Sequence, residues 1–140
     1  MPSRCMHELV RDQKPLVMPP ETSVKDAAAA MLARRVGAVL VARADGRLLG
    51  IFTGRDALRC LAGADDTRTC TLASVMTASP LTLPPEADAM EALRLLNDAG
   101  VRHMPIVQNG KVAGIVSRYD FRAMEHGRLE EETGYFEMLR

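Results

Sequence analysis

Two heptapeptides hold the residues whose types and spacing could do chemistry: GIFTGRD at residues 50–56 and GIVSRYD at residues 114–120. Each sets a hydroxyl three residues before an aspartate, Thr53 before Asp56 and Ser117 before Asp120. An aspartate carboxylate can accept hydrogen bonds from both vicinal hydroxyls of a ribose, as acidic residues after a strand do in dinucleotide folds. A Thr or Ser at a helix start stands beside unpaired amides and the positive end of the helix dipole, which suits a phosphate. Arg55 and Arg118, inside the two motifs, add guanidinium charge for the same anion. The same spacing also fits a capping box, in which hydroxyl and acid satisfy the first free amides of a helix. One motif alone has that local explanation. Two, at matching places, make a ligand clasp the better reading.

Other reactive residue types carry less. His103 has no second His, Cys or acid at ligand spacing, so it reads as a polar wall rather than a metal ligand. No Ser-His-Asp or Cys-His set with recognisable local context occurs. Cys60 falls where a small buried hydrophobe is expected. His7 and His126 read as surface residues, and the methionines as fillers of core gaps.

Bulk properties narrow the classes further. Eighteen basic residues balance eighteen acidic ones, so there is no electrostatic footprint for nucleic acid or an anionic membrane. The first twenty residues hold no continuous apolar segment of a secretory signal, and the runs AAAAMLA and VGAVLVA are far short of a bilayer span. Three cysteines without a C-x-x-C pattern read as reduced thiols, which fits a cytoplasmic protein.

The elements that position the two motifs come from a duplication. Shifting the chain by 65 residues lays PLVMPPE (residues 15–21) on PLTLPPE (residues 80–86), Ala27 on Ala92 and Val36 on Val101. After one skipped residue, Gly46, Gly50, Ile51 and Asp56 meet Gly110, Gly114, Ile115 and Asp120. In each copy Pro-Pro ends a short extended piece. A helix follows: TSVKDAAAAMLARR opens with a Thr/Ser cap signal, and its counterpart EADAMEALRLLNDAG sets Met90, Leu93 and Leu96 on one face and stops at Gly100. Two strands joined at Gly46 or Gly110 come next, and a second helix begins near Asp56 or Asp120. The expected fold is therefore α+β: tandem β-α-β-β-α repeats with pseudo-two-fold symmetry, each a small sheet packed with two helices. The expected divisions are residues 1–64, 65–126 and a helical tail at 127–140, with the polar stretch 63–71 as linker. The apolar sheet faces of the copies are expected to bury one another.

The duplicated unit, the stretch GVRHMPIVQNGKVAGIVSRYD and its echo GIFTGRD together resemble a tandem pair of CBS domains (a Bateman module), from about residue 10 to about residue 124. The resemblance implies a non-enzymatic regulatory module whose ligand is an adenosine-containing molecule such as AMP, ADP, ATP or S-adenosylmethionine. It has no other cofactor, signals by conformational shift to a regulated protein, and often assembles as a disc-like homodimer. Carried onto this chain, the family's ribose-binding acids fall at Asp56 and Asp120 and its hydroxyl contacts at Thr53 and Ser117. Arg55, Arg102 and Arg118 are expected at the phosphate. The segment His103, Met104, Pro105 is expected to wall the Asp120 cleft, with Ala38, Val39 and Leu40 as its first-copy counterparts. Val17 and Thr82 are expected as cleft walls or backbone contacts. Because the second copy carries the fuller pattern, its cleft is expected to be the better site. The rival reading is a ligand-free dimerisation or protein-interaction module in which both motifs only cap helices.

Overall fold

The computed structural model describes residues 5–121. The first described element is a short helix, α1 (Met6–Val10), that sequence periodicity does not announce. The first repeat then runs β1 (Val17–Met18), α2 (Val24–Arg34), β2 (Ala38–Ala42), β3 (Leu48–Thr53) and α3 (Gly54–Ala62). A single helical turn, α4 (Leu72–Val75), and a two-residue strand, β4 (Thr77–Ala78), lead into the second repeat. There α5 (Ala89–Ala99), β5 (His103–Gln108) and β6 (Lys111–Ser117) follow, and a helix starts at residue 118. In place of β1, Leu83 bridges in parallel to Ile106. Both copies are thus β-α-β-β-α, as expected. The acidic run and the aromatic tail at 127–140 lie outside the described residues.

Local chemistry accounts for the boundaries. Ser23 caps α2 by accepting from the Asp26 amide at 3.1 Å, and Asp88 caps α5 through the Glu91 amide at 2.7 Å. Gly100 ends α5 in the left-handed conformation, φ 67°, where a glycine has no Cβ to clash. Arg35 ends α2 at the matching place with φ 56°, a conformation a side chain makes costly.

The sheets are β1-β2-β3-β4 and β5-β6. Strand alternation gives each central strand two jobs. Val39 and Val41 of β2 and Phe52 of β3 face α2 and α3 in one core, with Val24, Ala27, Met31, Cys60 and Leu72. Met104 and Ile106 of β5 and Val116 of β6 face α5 in the other, with Ala92 and Leu96. The opposite face of the first sheet, Ala38, Leu40 and Ile51, packs against Val112 and Ile115 of the second. The two hairpins also pair at their turns, where Leu48 N donates to Gly110 O and Val112 N to Gly46 O.

Each core borrows from beyond its repeat. Met6 and Val10 of α1 are buried in the second core. Leu72, Val75 and Met76 pack on the first. The motif glycines make these crossings fit. A Cβ on Gly50 would sit 2.6 Å from Met76 Sδ and 2.7 Å from Thr77 O, and one on Gly114 would run into Val10.

Candidate functional sites

The alternation of β3 and β6 explains each letter of the repeated motif. Glycine leaves room for the crossing segment, Ile51 or Ile115 turns toward the other repeat, and Phe52 or Val116 fills its own core. The hydroxyl residue then ends the strand and the aspartate stands one turn into the helix. In the first copy the capping box is complete. Thr53 N and Thr53 Oγ1 both donate to Asp56 Oδ2, at 2.9 and 3.0 Å, and the Asp56 amide donates to Thr53 Oγ1 at 3.4 Å. In the second, Ser117 N donates to Asp120 Oδ2 at 2.7 Å and Ser117 Oγ at 3.4 Å.

The carboxylates differ at their other oxygen. Asp56, only 7% exposed, receives Arg59 Nη1 at 3.3 Å on Oδ1. Asp120 Oδ1 accepts no hydrogen bond among the described residues. The residue that matches Arg59 in sequence is Ala123.

Two clefts of similar size open between the repeats. One, about 420 Å³, brings Ser117 and Asp120 of the second repeat against Val36, Gly37 and Ala38 of the first. The other, about 430 Å³, brings Thr53, Arg55 and Asp56 of the first repeat against Val101, Arg102 and His103 of the second. Within each repeat a matching hydrogen bond ties the helix start to the residue before the inner strand: Gly54 N to Gly37 O and Arg118 N to Arg102 O, both 3.1 Å. Ala38 thus walls the Asp120 cleft rather than the cleft of its own repeat, while His103 reaches the Asp120 cleft as expected. Because the sheets pack face to face, the start of one repeat's inner strand lies beside the other repeat's helix start.

His103 lines both clefts, with its Nε2 3.3 Å from where a Cβ on Gly37 would be. Burial pushes the imidazole's pKa below its ordinary value; Asp120 pulls it back up and Arg102 pushes it further down. Neutral imidazole is thus favoured at this junction. Arg118 faces a third, smaller hollow of about 310 Å³ with Arg102, His103 and Ser117, and its buried Nε has no hydrogen-bond partner among the described residues.

Four expected positions fall elsewhere. Met104 is wholly buried in the second core, because it alternates to the helix side of β5. Pro105 is also fully buried. Val17 and Thr82 each lie one residue past the stretches that form cleft walls, which are Lys14, Pro15 and Leu16 in one cleft and Pro80 and Leu81 in the other. Val39 and Leu40, the first-copy counterparts of Met104 and Pro105, are likewise fully buried, and only Ala38 reaches a cleft.

Sequence reasoning missed three cations in the Asp120 cleft: Lys14, Arg34 and Arg35. Arg34 donates through Nη2 to the Lys14 carbonyl, tying the end of α2 to the extended segment. Their matches 65 residues on are Ser79, Ala99 and Gly100, so comparing the copies at the expected offset carried the signal. Among the described residues no group of His, Cys, Asp and Glu is placed to hold a metal, and no helix is long and apolar enough to cross a membrane.

A duplicated β-α-β-β-α unit with paired clefts at the seam between its copies defines a tandem-repeat module. The sequence profile of the CBS domain matches residues 8–63 and again 72–127. The chain belongs to the CBS domain family. It is 35% identical over 108 residues to the CBS domain-containing protein CBSCBSPB3 of Arabidopsis thaliana, covering 76% of this chain and 19% of that protein. The chain therefore spans about a fifth of the length of that curated relative. Its fold matches the CBS domain pair of protein MJ0100, solved with 5′-methylthioadenosine and S-adenosyl-L-methionine. There the TM-score is 0.81 at 20% identity, over 91% of this chain and 99% of that one. The fold also matches the CBS domain protein PAE2072 of Pyrobaculum aerophilum, solved with AMP. Its TM-score is 0.76 at 22% identity, over 83% of this chain and 88% of that one.

Proposed function

We propose that this CBS pair is a regulatory module that binds an adenosine-containing nucleotide between its repeats and signals by favouring one arrangement of the two copies. The observation that carries the reading is Asp120. Its carboxylate is held by Ser117 through Oδ2, while no described residue donates to Oδ1, at the wall of a cleft large enough for a nucleoside. Ser117 stands at the helix start beside it. Arg118, whose Nε has no partner among the described residues, and Arg102 share the adjoining hollow and serve a phosphate. The Asp56 cleft, with Thr53, Arg55 and Arg102, is the weaker of the two because Arg59 already occupies Asp56. Adenosine-containing molecules in two proteins of the same fold support the ligand class. The module is not itself a catalyst in this reading. It works in the cytoplasm, where its three free thiols stay reduced.

A second reading rests on a separate observation. Leu58 and Leu61 of α3 are 66% and 70% exposed, an apolar face suited to a second copy or a regulated protein. A homodimer through such a face is compatible with nucleotide binding. A ligand-free interaction module is the alternative to it. Thermal unfolding with AMP, ADP, ATP, S-adenosylmethionine and NADH tests the two, with Asp120→Ala and Asp56→Ala alongside. A ligand at about 100 times its Kd stabilises by about 2.7 kcal/mol. That shift should vanish in Asp120→Ala and largely persist in Asp56→Ala. No shift with any compound favours the interaction module.

A further inference from the structure

The two clefts carry comparable charge in opposite arrangements. In the Asp56 cleft, Arg55 and Arg59 lie on the helix that bears the acid, Arg59 is paired with it, and a single cation, Arg102, comes from the other repeat. In the Asp120 cleft, Lys14, Arg34 and Arg35 all come from the first repeat, while the acid comes from the second. A molecule whose hydroxyls meet Asp120 therefore faces three cations elsewhere on the cleft wall. The equivalent positions of the other cleft, Ser79, Ala99 and Gly100, are uncharged.

Arg35 stands out within the trio. It occupies a left-handed position, φ 56° and ψ 42°, where its amide closes α2 by donating to Leu32 O and Met31 O. At the same place the second repeat has Gly100, φ 67° and ψ 24°, making the equivalent bonds to Asn97 and Leu96. The cap needs only the backbone, and glycine serves it at lower conformational cost. An arginine in that geometry gives the helix end nothing that glycine would not. What it adds is a guanidinium on a cleft wall. Arg34 is already engaged with the Lys14 carbonyl, and among the described residues the Arg35 guanidinium and the Lys14 ammonium have no ion pair.

We propose that Lys14, Arg34 and Arg35 make the Asp120 cleft selective for ligands with a phosphate chain, and that Arg35 is the specificity-determining residue. The proposal rests on the reading of Asp120 as a ribose acceptor. It adds that affinity climbs with phosphate number and that the first repeat supplies the selectivity. The cations are solvent-facing, so the gain per charge is moderate, roughly tenfold for a guanidinium on a phosphate.

The test is calorimetric titration of the whole chain with adenosine, AMP, ADP and ATP, using the wild type, Arg35→Gly, Arg35→Lys and Asp120→Ala. Wild-type affinity should rise from adenosine to ATP. Arg35→Gly should weaken ATP by about tenfold, leave adenosine within twofold, and unfold at no lower temperature than the wild type. Arg35→Lys should recover part of the ATP affinity. Equal affinity of adenosine and ATP for the wild type would overturn the proposal, as would equal weakening of both in Arg35→Gly. If Asp120→Ala binds adenosine as the wild type does, the ribose assignment is lost, while the Arg35 effect on ATP still judges phosphate selectivity. If none of the four compounds binds the wild type, both readings fall.

Discussion

The carboxamide of Gln13 pairs with the backbone of Ile115, 102 residues further along the chain. Gln13 Nε2 donates to Ile115 O at 2.8 Å, and Ile115 N donates to Gln13 Oε1 at 3.0 Å. In the first repeat the same edge is covered by true strand pairing, Ile51 with Thr77. One side chain thus does for β6 what β4 does for β3, and ties the N-terminal segment to the last strand. Gln13→Ala should destabilise by about 1–2 kcal/mol, since both polar groups of Ile115 lose a partner in a partly buried setting. Amide exchange at Ile115 should accelerate in the same variant. Unchanged exchange there would show that the pairing is not formed in solution.

Gly50→Ala and Gly114→Ala should each cost about 1–3 kcal/mol, because the new methyl meets Thr77 backbone or Met76 in one case and Val10 in the other. Gly54→Ala is the control. Among the described residues nothing lies within 4 Å of where its Cβ would be, and it sits in the first turn of α3. That change should be neutral or stabilise by up to about 1 kcal/mol. Urea melts of the three variants rank them directly.

His103 should make stability depend on pH. Its folded pKa lies below the ordinary 6.5, chiefly through burial, with Asp120 opposing and Arg102 reinforcing the shift. Between the folded value and 6.5 the unfolded chain binds more protons than the folded one, so stability rises with pH there. The contribution is fully present above about 6.5 and is lost as pH falls through the folded value. His103→Gln should flatten that part of the curve. A wild-type profile that matches the glutamine variant from pH 5 to 7 would rule the account out.

Arg59→Ala should barely alter stability, by less than about 1 kcal/mol, because the guanidinium is exposed. Its effect should fall on binding. With Oδ1 of Asp56 released, the weaker of two nucleotide-binding events should tighten by a few-fold. If Arg59 instead contacts the ligand's phosphate, that event weakens. Calorimetry reads the sign.

Much of this protein was legible because it is written in local periods. The cap at Ser23, the stop at Gly100, the turns at Gly46 and Gly110, and the shift of 65 residues are short-range signals. They gave the β-α-β-β-α order, its duplication and the strand ends that carry Thr53 and Ser117. Alternation along β5 could also have warned that Met104 and His103 point to opposite faces. The short α1 and α4 carried too little sequence to show a period.

By itself, then, the sequence determined the repeat and placed an acid at the start of each second helix, since both follow from spacing along the chain. Only the tertiary structure decided which residues meet. Packing two sheets face to face set Ala38 beside Asp120 and Arg102 beside Asp56, drew α1 into the second core, and put Arg35 across a cleft from a carboxylate far from it in sequence. No local period encodes those meetings, because they depend on the face that each sheet buries against the other.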